Sequence, residues 1–157
     1  MTIPAGRLSL TEHAPRQHAA MLRLERSIEL DRGLHDLVSL RASQINGCAF
    51  CLDMHWQDAR AAGETEARLY SLDAWRDSPL YSERERAALE LCEAMTLVAE
   101  TNVPDAVWER ARASFDDDEL AQLVFAIAAI NAWNRLNVAT RLEPGHYRPG
   151  ASLPAAA

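Results

Sequence analysis

The sequence predicts an all-α domain, and three observations lead there. Apolar residues recur at spacings of three and four along most of the chain. No segment alternates apolar and polar residues as a half-buried strand would. Ser82 with Glu85, and Asp116 with Glu119, carry the spacing of a capping box, in which each residue satisfies the other's orphan backbone donor at a helix start. With 157 residues, 48% of them apolar, the chain is the size of one domain able to bury one core. The expectation is a single domain over residues 1–157, of about six to seven helices, with a core at about 20–142 and tails at 1–12 and 144–157.

The elements follow in order. From Pro15 to Leu30, Ala19, Leu22, Ile28 and Leu30 form a helical stripe, and Gly33 allows a break. A second helix begins near Leu34, carries Leu37, Val38, Leu40 and Ile45, and stops at the turn-forming pair Asn46-Gly47. A third runs from Cys48 to Gly63, and a short one covers about Glu64 to Leu72. Ser82 opens the next, with Leu89, Cys92, Met95 and Leu97 on its apolar side as far as Thr101. Pro104 suits the first turn of another short helix, where its missing N–H costs nothing. Asp116 opens the last, which reaches about Leu142 and is apolar nearly all round from Leu120 to Trp133. Such a helix is either central to the core or half covered by another subunit, and a subunit contribution is expected here. After Pro144 the chain has turn chemistry; Tyr147 is placed to pack back onto the domain or a neighbour, His146 to face solvent, and the final seven residues to be poorly ordered.

Composition removes several classes of function. A net charge of −7 disfavours nucleic acid and anionic membranes as partners. All sixteen basic residues are Arg. The N-terminal residues carry no apolar stretch of signal-peptide length, and the longest apolar run, Leu123 to Ile130, is too short to span a bilayer. A cytoplasmic protein is therefore expected. In that reducing compartment a close cysteine pair points to catalysis or metal binding rather than to a structural disulfide.

The chemistry lies in Cys48-Ala-Phe-Cys51-Leu-Asp-Met-His55. Two cysteines with this spacing at a helix start are close enough to form a disulfide. Both feel the unpaired N–H groups and positive end of the helix, which favour thiolate. His55, four residues after Cys51, shares its face of the helix and can take the thiol proton or hold the thiolate as an ion pair. That geometry nominates Cys51 as the activated thiol and Cys48 as its resolving partner.

Other readings compete. Cys48, Cys51 and His55 could be part of a zinc site, but a structural site wants four ligands and no second cluster is visible. Covalent haem attachment needs His directly after the second cysteine, where Leu52 stands. A thioredoxin-type site follows a strand, whereas this one follows a helix. Two incidental core cysteines are the plain alternative, which His55 at helical spacing weakens. Cys92, on an apolar face, reads as core. No metal and no bound cofactor is expected.

The stretch LVSLRASQINGCAFCLDMH, Leu37 to His55, resembles the core of the alkylhydroperoxidase D-like proteins of the carboxymuconolactone decarboxylase superfamily. The similarity continues through Ala59-Arg60, Gly63-Glu64, Glu83 to Ala88 and Asn131 to Leu136, spanning about residues 20 to 142. The resemblance implies an all-helical chain that assembles as a homo-oligomer, a trimer or hexamer. It implies that Cys51 attacks a hydroperoxide, that Cys48 condenses with the resulting sulfenic acid, and that His55 is the family histidine. The family's relay glutamate lies twelve residues before the first cysteine, where this chain has Asp36. Asp keeps the carboxylate but is one methylene shorter, which implies a relay through a bridging water or a weaker one; a solvated surface carboxylate is the alternative. His35 beside it is expected at the surface. Some family peroxidases place a histidine between the cysteines, where this chain has Phe50.

The implied cycle is that of a thiol-dependent peroxidase. Asp36 orients or relays a proton from His55, His55 activates Cys51, Cys48 resolves, and an external dithiol or thioredoxin-like reductant restores the pair. Two alternatives stand beside it: a non-enzymatic redox sensor or stress-associated protein using the same disulfide, and, lower, a decarboxylase of the kind that names the superfamily. The decarboxylases proper lack the cysteine pair. Arg135 is expected in a structural or intersubunit pair rather than on an acidic ligand.

Overall fold

The computed structural model describes residues 6–150, so the tail expected to be disordered lies outside the described residues. Nine α-helices and one 3₁₀ turn make up these residues, with no strand among them. They are α1 (Leu10–His13), α2 (Pro15–Ser27), α3 (Arg32–Asn46), α4 (Ala49–Ala61), α5 (Glu66–Tyr70), the 3₁₀ turn Leu72–Ala74, α6 (Glu83–Thr96), α7 (Val98–Thr101), α8 (Asp105–Ser114) and α9 (Asp117–Thr140). The all-α expectation holds. No described helix is long and apolar enough to cross a membrane.

Both predicted capping boxes form. Ser82 Oγ accepts from the Glu85 N–H while Glu85 Oε2 accepts from the Ser82 N–H at 2.7 Å. At α9, Asp116 Oδ1 accepts from the Glu119 N–H at 2.8 Å, with the reciprocal bond in place. The differences are local. α2 ends at Ser27, because Ile28 turns extended and leads the chain to Asp31, whose carboxylate caps α3 through the Leu34 N–H at 3.0 Å. The helix expected from Ser82 to Thr101 breaks at Leu97 into α6 and α7, with Thr101 Oγ1 donating back to the Ala94 carbonyl.

α3 is the centre of the packing, with α4, α6 and α9 against it. On one side Val38 and Ala42 meet Ala88, Leu91 and Cys92 of α6 and Leu123, Ile127 and Ile130 of α9. On the other, Leu37 and Leu40 meet Ala59, Leu69, Leu72, Trp75 and Leu89. Burying such a side chain is worth about 1.5–3 kcal/mol, so α3 has little freedom to shift. Polar contacts fix the segment between α5 and α6: Glu93 accepts from Arg41 Nε at 2.7 Å and Trp75 Nε1 at 2.8 Å, and pairs with Arg76. Cys92 is core, as expected; burial pushes its thiol up to about 12, and its Sγ donates to the Val38 carbonyl.

α9 buries Leu120, Leu123, Ala126, Ile127, Ala129, Ile130 and Asn134, yet leaves Phe125 and Val138 exposed. It ends at Arg141 in the left-handed conformation, φ 56°. A side chain there costs about 1–2 kcal/mol that glycine avoids, against glycine's larger unfolded-state entropy. Arg141→Gly is expected to stabilise the protein by about 0.5–1 kcal/mol, read as a higher urea midpoint; an unchanged or lower midpoint would contradict the cap assignment. The C-terminal segment folds back onto the domain: Tyr147 Oη donates to Asp58 Oδ1 at 2.7 Å and the Gly145 N–H to Asp53 Oδ2 at 2.8 Å. His146 is exposed.

Candidate active site

The cysteine pair sits where α3 hands over to α4. Gly47, at φ 68°, ends α3 in the left-handed region, and the Cys48 N–H bonds back to the Ser43 carbonyl at 3.0 Å. Cys48 is then the N-cap of α4: its Sγ accepts from the Cys51 N–H at 3.4 Å and its carbonyl from the Leu52 N–H at 3.0 Å. One residue thus closes one helix and opens the next. Both cysteines are free thiols with 1% of their surface exposed.

Cys51 Sγ also accepts from Asn137 Nδ2 at 3.4 Å. The interaction between the two thiols lowers the Cys51 pKa and raises that of Cys48. Burial opposes ionisation of Cys51, while Asn137, Asn134 and the charge of His55 favour it. Cys51 is therefore the thiolate of the pair, and its ionised fraction survives to lower pH than that of an ordinary thiol, whose pKa is about 8.5. Because the shift is downward, alkylation of Cys51 by iodoacetamide should still run near its full rate at pH 7.5, falling only at more acid pH, while Cys48 stays unmodified. Peptide mapping after timed alkylation reads this; a half-maximal rate at or above pH 8.5 would contradict it.

Behind the sulfurs lies a polar hub that sequence reasoning missed. Asn134, wholly buried in α9, accepts from Asn46 Nδ2 at 2.9 Å and donates to Ser43 Oγ at 2.9 Å, which in turn donates to the Ser39 carbonyl at 2.7 Å. Asn46 Nδ2 also reaches Asn131 Oδ1 at 3.0 Å. The available signal was three asparagines on one apolar helix, since a buried amide needs partners. Arg135, by contrast, is exposed and donates to the carbonyl and side chain of Asn131.

His55 and Asp36 come together. His55 is 6% exposed and its Nδ1 lies 3.6 Å from Asp36 Oδ1, just beyond direct hydrogen-bonding distance. Asp36, at 2% exposure, is not a solvated carboxylate. Its Oδ2 accepts from Arg32 Nε at 2.8 Å. Burial opposes its ionisation, but His55 and Arg32 hold its pKa below the usual carboxylate range.

The expectation of a surface His35 fails. The turn between α2 and α3 brings Glu25 over it, His35 Nε2 lies 3.1 Å from Glu25 Oε1, and the side chain is 16% exposed. Its ring centroid is 6.1 Å from that of His55. Burial works against ionised Glu25, but the bond to His35 and the nearby charges hold its pKa low. Glu25 had no sequence signal, because only the α2–α3 turn brings it here.

The class that fold and site define is an all-helical protein with a dithiol at a helix start and a histidine one turn on. The carboxymuconolactone decarboxylase family model matches residues 15–94, and the chain belongs to that family, in its alkylhydroperoxidase D-like branch. The uncharacterised protein YdfG of Bacillus subtilis is 43% identical over 136 residues, covering 85% of this chain and 92% of YdfG. The crystal structure of an Agrobacterium tumefaciens protein of unknown function, suggested to be the antioxidant defence protein AhpD, superposes with a TM-score of 0.88 at 39% identity, covering 91% of this chain and all of that one. A peroxidase-related protein from Silicibacter sp. TM1040 shares the fold, with a TM-score of 0.75 at 22% identity over 87% of this chain and 74% of its own.

Proposed function

We propose that the protein is a thiol-dependent peroxidase that reduces organic hydroperoxides through a Cys48/Cys51 dithiol–disulfide cycle. The observation that carries this reading is the polarised cysteine pair: Cys51 is the thiolate, held by Asn137 and the partner thiol, with His55 one turn away against Asp36. In the first step the Cys51 thiolate attacks the terminal peroxide oxygen, the O–O bond breaks, and the alkoxide leaves as alcohol with a proton delivered through His55. Cys51 is then a sulfenic acid. Attack by the Cys48 sulfur forms the disulfide and releases water, and an external dithiol or thioredoxin-like protein reduces it by exchange. The cycle needs no bound cofactor. His55 and Asp36 handle the proton, and the 3.6 Å gap between them closes through a small shift or a bridging water.

The working form in this reading is a homo-oligomer, a trimer or hexamer, with exposed Phe125 of α9 on the face to be covered. The enzyme is placed in the cytoplasm. The test is steady-state consumption of cumene hydroperoxide with dihydrolipoamide as reductant. Many turnovers per chain are expected. A single round of disulfide formation without turnover would overturn the peroxidase reading in favour of a redox sensor.

A further inference from the structure

His35, Asp36 and His55 each present one ligand atom, and the three atoms lie within 4.8 Å of one another. Two imidazoles and one carboxylate are a donor set for divalent transition cations, zinc among them. Tetrahedral bonds of 2.0–2.1 Å hold neighbouring donors about 3.4 Å apart. Asp36 Oδ1 and His55 Nδ1, at 3.6 Å, already stand near that separation.

The surroundings are those of a ligand site rather than of a chance cluster. His55 Nδ1 is buried and has no hydrogen-bond partner among the described residues, so a nitrogen able to bind an ion faces Asp36 unused. The other two residues carry partners of their own: Glu25 Oε1 lies against His35 Nε2 at 3.1 Å, and Arg32 Nε donates to Asp36 Oδ2 at 2.8 Å. Outer partners of this kind fix the rings and carboxylates of metal centres and raise their basicity. Charge also favours a cation. Glu25, Asp36 and Asp58 gather here against Arg32, whose guanidinium lies 3.6 Å from Asp58 Oδ2.

We infer that His35, Asp36 and His55 form a binding site for a divalent cation of the zinc type, whose occupation withdraws His55 and Asp36 from proton transfer and holds the dithiol idle. The second half of that statement rests on the peroxidase reading; the site itself does not.

Zinc is the probe. To remove thiol ligation, the full-length Cys48→Ser/Cys51→Ser double variant is titrated with Zn²⁺ by calorimetry at pH 7. One ion per chain is expected, with affinity falling at least tenfold when His35→Ala is added. A double variant that binds no zinc, or an affinity that His35→Ala leaves unchanged, would overturn the site. Imidazole signals give a second readout that needs no substitution at the site. One equivalent of Zn²⁺ is expected to shift those of His35 and His55 and leave His13, His18 and His146 in place; shifts confined to those three would also overturn it. The regulatory half is read by comparing the wild type with His35→Ala, which keeps the dithiol: micromolar free Zn²⁺ should inhibit wild-type turnover, a chelator should restore it, and His35→Ala should need at least tenfold more zinc. Equal inhibition of both, or turnover unaffected at saturating zinc, would refute the inhibition. If the wild type shows no turnover at all, the peroxidase reading has failed, while the calorimetry still decides the site.

Discussion

Cys51→Ser is expected to abolish hydroperoxide turnover, by roughly a thousandfold or more, because a serine hydroxyl stays protonated where the thiolate is the nucleophile. Cys48→Ser should fail differently. Its Cys51 still attacks one hydroperoxide, so one equivalent of alcohol forms per chain, but no intramolecular disulfide follows and the sulfenic acid persists until an outside thiol captures it. The two variants are thus separated by a single-turnover experiment with a sulfenic-acid trap: adduct on Cys51 in Cys48→Ser, none at all in Cys51→Ser. Adduct on Cys48 in the Cys51 variant, at a rate near wild type, would reverse the roles. That outcome has a physical basis to compete against, since Cys48 is the residue that accepts the Cys51 N–H at the start of α4. Opposed to it are burial and the neighbouring thiolate, which keep Cys48 protonated, and Asn137, which donates to Cys51 Sγ.

Replacing Asn134 by Ala should be the most destabilising single change in the site that leaves the cysteines intact. The amide joins α9 to the C-terminal turn of α3 through Asn46 and Ser43 in a fully buried setting. Truncation removes both bonds and leaves a void, a combined loss of about 2–4 kcal/mol. Asn46 keeps Asn131 and Ser43 keeps its bond to the Ser39 carbonyl, which is why the loss should stay within that range. Urea unfolding measures it as a fall in midpoint at constant slope. A change under about 0.5 kcal/mol, typical of exposed positions, would mean that the hub does not hold the helices together. Because Asn134 also lowers both cysteine pKa values, the surviving folded fraction should alkylate more slowly at pH 7.5.

How much of this could be read from the chain depends on whether the determinant was local. The capping boxes at Ser82 and Asp116, the stop at Gly47 and the shared face of Cys51 and His55 are properties of residues within four positions of one another, and the sequence displays them directly. Asp36 was reachable only through resemblance. Its burial against Arg32 and its approach to His55 depend on how α3 and α4 pack. Glu25, His35 and the asparagines of α9 were not legible in these roles, since their contacts join elements 10 to 91 residues apart in the chain. The break at Leu97 was not legible either: nothing in the apolar pattern of α6 and α7 forbids one continuous helix, yet Leu97 leaves the helical conformation at φ −99°, ψ 33°.

Both sulfurs have 1% of their residue surface exposed, and this has a kinetic meaning. A reagent reaches Cys51 only during a local opening, so an observed second-order rate is the intrinsic rate multiplied by the fraction of time the gate stands open. Peroxide attack, alkylation and reduction of the disulfide all pass through openings at the same α3–α4 junction. A small hydroperoxide needs a smaller breach than a protein reductant does. Conditions that loosen the junction, such as mild urea below the unfolding midpoint, should therefore speed reduction by a bulky partner more than they speed oxidation by a small peroxide.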